Sequence, residues 1–181
     1  MNTYVRETQR SGSWATAMTW WRRRAWLLIV IADVGLLLWG AGAALIPERL
    51  PGPGGTAILP AGYEGYTGGS WEQLKATSAE TAGYIAVIFR LYGVYIIAFS
   101  VLAIAIAANS FRRGERWAWW ALLVGNALAW PAAMSYDLIV HAIGPFELTE
   151  YIGLGIILGS LAVTWRSVQP GAANEGNVAT T

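Results

Sequence analysis

Apolar residues dominate four stretches of the chain, 25–45, 81–108, 117–140 and 148–165, and charged, proline-rich or glycine-rich segments separate them. At about 1.5 Å of rise per residue, helices of this length cross a hydrocarbon core of about 30 Å. Few charged, amide or proline residues interrupt them: Asp33 in the first, Arg90 in the second, Asn126 and Pro131 with Asp137 toward the end of the third, and Glu150 at the start of the fourth. The pattern predicts an all-α integral membrane four-helix bundle. A signal peptide would share the basic approach to the first stretch, but its apolar centre is only about 7 to 15 residues, so the first stretch is expected to be a retained span.

The connecting segments differ in character. Residues 46–80 hold Pro47, Pro51, Pro53 and Pro60 with glycines between them, and are expected to be an irregular outer loop without packing of its own. Within it, GYEGYTGGSWEQL at 62–74 carries Tyr63, Tyr66 and Trp71 for contact with a membrane surface or the helix ends, and Ser70 suits the cap of one short helical turn. Thr77 and Glu80 have the spacing of a capping box ahead of the second stretch. Residues 1–24 are expected to form a cytoplasmic N-terminal arm, 25–167 the transmembrane domain and 168–181 a flexible C-terminal tail. Gly144 and Pro145 mark the second outer turn.

Composition agrees with the hydrophobic pattern. Of the 181 residues, 55% are hydrophobic and 13% charged, against about 25% charged in soluble domains. The net charge of +1 conceals an asymmetry, because nine of the twelve basic residues lie at 6–24, 112–116 and 166. Seven of the eleven tryptophans sit near the same boundary, and basic residues with interfacial tryptophans mark a cytoplasmic side. The turn FRRGERWAWW at 111–120 is its clearest expression. Both termini are therefore expected in the cytoplasm, in a multi-pass protein of the cell's inner (plasma) membrane. The basic side needs no nucleic-acid partner; the lipid bilayer, other membrane subunits or self-association are the expected partners. Cysteine is absent, which excludes disulfides, thiolate catalysis and cysteine-ligated metals.

Ionisable groups inside a span cost roughly 2.5–3.5 kcal/mol on insertion scales, so each asks for a partner or a role. Asp33, nine residues beyond Arg24, is the deepest carboxyl; an inter-helix hydrogen bond is the bland reading and a proton or ion site the functional one. Asn126, Trp130, Ala133, Asp137 and His141 share one face of the third stretch at helical spacing. With Glu147 and Glu150 on the fourth, and Arg90 on the second, the hairpin YDLIVHAIGPFELTEY at 136–151 assembles the one constellation that resembles a site. Its tentative ligand-binding residues are Arg90, Asp137, His141, Glu147 and Glu150. Asp137, His141, Glu147 and Glu150 would be the ligands of any metal, although a single histidine makes a poor nucleus for one. A solvated, salt-bridged helix end competes with both. Tyr92, Tyr95 and Trp130 offer stacking surfaces for a pigment, quinone or lipid. Gly155 and Gly159 form a small-xxx-small pair suited to close helix packing.

No Walker, dinucleotide, nucleophile-elbow or zincin motif is present, so no cofactor is indicated by motif. Catalysis is less expected than scaffolding. The leading expectation is a non-catalytic accessory or structural subunit of a larger membrane complex. A small-ligand, metal-binding or enzymatic four-helix bundle with an outward-facing polar site is the alternative, and an oligomeric channel or proton-coupled carrier using Asp33 and Asn126 the third.

GYTGGSWEQL at 65–74, followed by a span and then NSFRRGERWAWWALL at 109–123, resembles a pattern in uncharacterised small four-span membrane proteins of bacteria. The resemblance rests chiefly on the RRGERWAW turn and covers residues 60–125. It implies fold and topology and no activity.

Overall fold

A computed structural model describes residues 4–52, 55–141 and 147–165. The C-terminal tail and the turn at Gly144 and Pro145 lie outside the described residues. Six α-helices are present among the described residues: α1 (Tyr4–Leu45), α2 (Ile58–Thr67), α3 (Trp71–Thr77), α4 (Ala79–Ile106), α5 (Arg116–Ile139) and α6 (Glu147–Thr164). A π-helical turn, Ala107–Phe111, extends α4. The protein is all-helical, as the pattern predicts; three of the four apolar stretches coincide with α4, α5 and α6 to within a few residues, and the first forms the C-terminal half of α1. Arg23–Leu45 and Ala79–Phe111 are long and apolar enough to cross a membrane, and Leu148–Thr164 is a shorter apolar helix.

Two expectations change. The polar segment before residue 25 belongs to the same helix as the first apolar stretch, since α1 runs unbroken from Tyr4; no proline interrupts it before Pro47. The 46–80 segment also has packing of its own. Ile58, Leu59 and Trp71 are buried with Leu50, Ala43, Ala82, Ala86 and Phe89 in a second core cluster. Trp71 keeps only 1% of its surface exposed. The prolines and glycines bend the entry to this segment: the Gly52 N–H donates to Thr56 O (2.9 Å) and the Ile58 N–H to Leu50 O (2.9 Å), and α2 starts directly after. The pair α2 and α3 thus forms a cap over the end where Ala43 of α1 meets Ala82 and Ala86 of α4.

The caps differ in detail from the sequence signals. Ser70 precedes α3 without a side-chain cap bond; the Trp71 N–H instead donates to Glu64 Oε1 at 3.0 Å, so a carboxylate from α2 satisfies the helix start. The Thr77 hydroxyl turns back to Gln73 O at 2.8 Å, leaving the capping box unformed, and α4 starts behind Ser78. Lys75 pairs with Glu72 within α3 (2.8 Å) and with Glu48 just after α1 (3.6 Å), and the second pair ties α3 to that segment.

The long helices pack unequally. The most extensive contact is α1 on α4, followed by α1 on α6, with α5 held mainly by α6 and the π turn. A Cβ at Gly93 would lie 2.5 Å from Ala44 N and 2.7 Å from Gly40 O, so the α1–α4 backbones touch at this crossing. Gly155 and Gly159, by contrast, have nothing within 4 Å of where a Cβ would stand; the small-residue pair does not serve the internal packing.

Candidate ligand-binding cleft

The turn between α4 and α5 closes one end of this helix pair. Arg112 N–H reaches Ala107 O at 3.1 Å, and Gly114 takes φ 79°, a left-handed conformation that glycine adopts without a Cβ penalty. Glu115 gathers the turn: Arg113 Nε donates to its Oε1 at 2.7 Å and Trp117 Nε1 to its Oε2 at 2.6 Å. The hydrogen bond from Arg113, followed by that from Trp117, holds the Glu115 carboxyl below the usual value of 4.5. Arg112 lies over the Trp26 ring at 4.8 Å, and Trp119 packs against Trp120 and Trp165 while donating to Leu161 O at 2.9 Å.

From this closed end α4 and α5 separate toward the cap. Phe99 still meets α5, where a Cβ at Gly125 would be 3.2 Å from its ring. Beyond it lies a cavity of about 1020 Å³. Leu36 and Trp39 of α1 form its back, Tyr84, Phe89, Tyr92, Tyr95 and Phe99 of α4 one wall, Ala129, Trp130 and Ala133 of α5 the other, and Tyr63 and Tyr66 of α2 the roof. The aromatic wall of α4 follows from spacing: Tyr84, Ile88, Tyr92, Tyr95 and Phe99 recur at three and four residues and so share one helix face.

Each wall is held by identifiable contacts. Trp39 meets Phe89 and Tyr92 edge-on, with ring centroids 6.4 and 5.9 Å apart. Trp130 is fixed by its indole N–H, which donates to Asn126 Oδ1 at 2.8 Å, while Asn126 Nδ2 donates to Leu122 O at 2.8 Å. Gly153 on α6 makes room behind that ring, since a Cβ there would be 3.2 Å from it. The roof needs Gly65, where a Cβ would run into the Val140 carbonyl oxygen at the end of α5.

Of the expected polar constellation, three side chains are described: Arg90, His141 and Glu150. Glu150 lines the cavity, half-buried. Arg90 is exposed and absent from the lining; at about 100° per residue it lies on α4 roughly opposite Tyr92, Tyr95 and Phe99. His141 is exposed at the end of α5 with φ 52°. The side chains of Asp137 and Glu147 lie outside the described residues. Among the described residues no group of three or more His, Cys, Asp or Glu is placed to hold a metal ion. What the structure does bring together is the stacking set: Tyr92, Tyr95 and Trp130 all line the cleft. Phe99 shares the face of Tyr92 and Tyr95, while Phe89 joins from an adjoining face of α4 and Trp39 from α1; nothing in their spacing says that α4 and α5 stand apart.

The cleft can bind through dispersion and ring contacts, with tyrosine hydroxyls and one carboxyl as polar handles. Among the described residues it holds no nucleophile paired with a base. Compared with known proteins, the chain matches no protein-family model, no curated protein and no solved structure. The resemblance of the RRGERWAW turn to small four-span bacterial proteins stays an expectation, and the functional reading rests on the site.

Proposed function

We propose that this chain is a multi-pass membrane protein, four-span with both ends on the side of the arginine turn, and that it binds a lipid-soluble, ring-bearing molecule in the cleft between α4 and α5 without transforming it. The observation that carries the binding reading is the cavity of about 1020 Å³ with nine aromatic residues in its lining, at the upper end of the size range of small-molecule sites, roughly 300–1,000 Å³. The membrane setting draws support from burial: in the most apolar part of both Arg23–Leu45 and Ala79–Phe111, 22% is buried. A soluble protein's core helices of this composition would be mostly covered, whereas Ile31, Leu38, Val87, Leu91, Val101, Leu128, Ile152 and Leu158 are all exposed. Such faces suit acyl chains.

Extraction of the protein from its native membrane in mild detergent, followed by solvent extraction and mass spectrometry, tests the binding reading. A single class of ring-bearing apolar molecule is expected near one per chain. A spread of bulk phospholipid identical to that carried by an Ala133→Trp variant would sink it.

A second reading, an accessory subunit of a larger membrane complex, is favoured by Arg90. This arginine is exposed beside an apolar face of α4 and has no ion pair among the described residues. A guanidinium within a span is costly without a counter-charge, and an acidic residue on a neighbouring subunit would supply one. A solitary monomer after mild extraction would count against this reading.

A further inference from the structure

Each of the four long helices places one polar side chain wholly inside the bundle: Asp33 on α1, Ser100 on α4, Asn126 on α5 and Ser160 on α6, every one at 0% exposure. Asn126 is engaged by Leu122 and Trp130. The other three are not engaged. Neither carboxyl oxygen of Asp33, nor Ser100 Oγ, nor Ser160 Oγ has a hydrogen-bond partner among the described residues. Other helical hydroxyls bond to the carbonyl one turn back, as Thr164 does to Ser160 O at 2.8 Å and Ser135 to Pro131 O at 2.6 Å. The two serines leave that bond unmade.

Helix register brings the three to one level of the structure. Gly40 and Gly93 meet where α1 crosses α4. Asp33 precedes Gly40 by two turns and Ser100 follows Gly93 by two turns, so on antiparallel helices both move the same way along the same seam. Phe99 against Gly125 sets the level of α5, and Trp130 against Gly153 with Trp119 bonded to Leu161 sets that of α6. These contacts put Ser160 within about one turn of Asp33. The Asp33 side chain leans toward the N-terminus of α1 and the Ser160 side chain toward the N-terminus of the oppositely directed α6, and these tilts converge.

We propose that Asp33, Ser100 and Ser160 surround an internal site for a small guest bound through oxygen, either water or a monovalent alkali cation. Three buried groups left unmade would each cost about 1–3 kcal/mol, and buried polar atoms in folded proteins are met by protein or by ordered water. One carboxylate limits any cation to a single charge, since a divalent ion would leave the interior charged. Carboxyl and hydroxyl oxygens are the ligand type that hard cations take. The site is separate from the aromatic cleft, whose lining ends at Leu36 and Phe99, adjacent to this layer.

Thermal unfolding of the full chain in detergent tests the proposal through Ser100→Ala, Ser160→Ala and the double variant. Each single change is expected to lower Tm by about 3 °C, and the double change by clearly less than the sum, because both serines hold one guest. Additive shifts, or single changes without effect, would overturn the proposal; self-satisfied serines predict that result. Replacing sodium chloride by choline chloride separates the sources. A cation guest makes the Tm of the unaltered chain fall in choline but not that of Asp33→Asn; a water guest leaves both unmoved while the serine coupling persists. If the alanine variants do not fold, an experimental density map of the unaltered chain decides. A peak within hydrogen-bond distance of Asp33 and of at least one serine is expected, and a layer without such a peak overturns the proposal.

Discussion

Toward α1, helix α4 shows Ala86, Gly93, Ser100 and Ala103, followed by Ala107 of the π turn, all buried, and its backbone comes into contact with that of α1 at Gly40 and Ala44. Toward α5 the same helix shows Tyr84, Tyr92, Tyr95 and Phe99, and the two helices diverge around a cavity of about 1020 Å³. The two faces belong to one helix with one backbone geometry, and they differ in side-chain size. Small residues let dispersion act between backbones, while ring-bearing residues hold a neighbour off and line the space they create. The cleft is thus a product of where the chain puts its rings, with α5 held from its far side by α6 and at its base by the arginine turn.

The sharpest way to break this contrast is to give the tight face a side chain. Gly93→Val is expected to destabilise by about 3 kcal/mol or more, because the atoms it would strike, Ala44 N and Gly40 O, belong to helical backbone and cannot swing aside. Gly83→Ala on the same helix has open space around the added Cβ and should be neutral or stabilising by up to about 1 kcal/mol. Thermal unfolding in detergent compares them, and equal losses would show that the α1–α4 crossing is not a close one.

Filling the loose face should do the reverse. Ala133 lines the cleft on α5, and Ala133→Trp places a ring in the cavity without meeting backbone across it. Retention of the extracted apolar molecule is expected to fall at least tenfold, about 1.4 kcal/mol or more of binding, while the unfolding temperature stays within a few degrees. A variant that unfolds as readily as Gly93→Val would mean that the cavity walls are packed against each other and not held apart.

These two faces were unequally legible in the sequence. Helical spacing is enough to group Tyr92 with Tyr95 and to put Trp130 on a face with Asn126, and both groupings hold. The close crossing was missed because GAGAA at 40–44 and a lone Gly93 look like ordinary membrane-helix composition; only their register on antiparallel helices makes them partners. Gly155 and Gly159 have the stronger local signature and face open space. Arg90 and Glu150 are expected together because both fall near the same ends of their helices, but Glu150 lines the cleft and Arg90 lies on α4 opposite the cleft's rings, since a shared height does not give a shared face. The α2–α3 cap is obscured by Pro51, Pro53 and Pro60, which read as breakers although Pro60 lies within α2 and Pro51 bridges to Ala57 just ahead of it.

A smaller effect examines what holds α5 from behind. Trp119 donates its indole N–H to Leu161 O inside the core. Trp119→Phe keeps most of the ring and removes the donor, and should cost about 1 kcal/mol. Thr164 Oγ1 also reaches Leu161 O at 3.0 Å, which keeps that carbonyl partly satisfied and holds the loss near this value. If the variant loses the bound molecule together with stability, the α5–α6 contact sets the width of the cleft; if it loses stability alone, the turn sets it.

The turn itself supplies the smallest effect, visible as a pH dependence. The Arg113 and Trp117 hydrogen bonds lower the Glu115 pKa from its ordinary 4.5. A carboxyl whose folded pKa is depressed binds fewer protons folded than unfolded, so its contribution is present above the unfolded value and is lost as pH falls through the folded one. Stability of the unaltered chain should therefore decline below about pH 4.5 with a slope that Glu115→Gln reduces. Because Glu115 and Arg113 are in contact with solvent, salt screens the pair and the change will be modest. Comparison of the two acid limbs at low ionic strength is the measurement. Coincident limbs would show that the base of the cleft is held by the Trp119, Trp120 and Trp165 packing instead, and that the α4–α5 divergence starts from an apolar hinge.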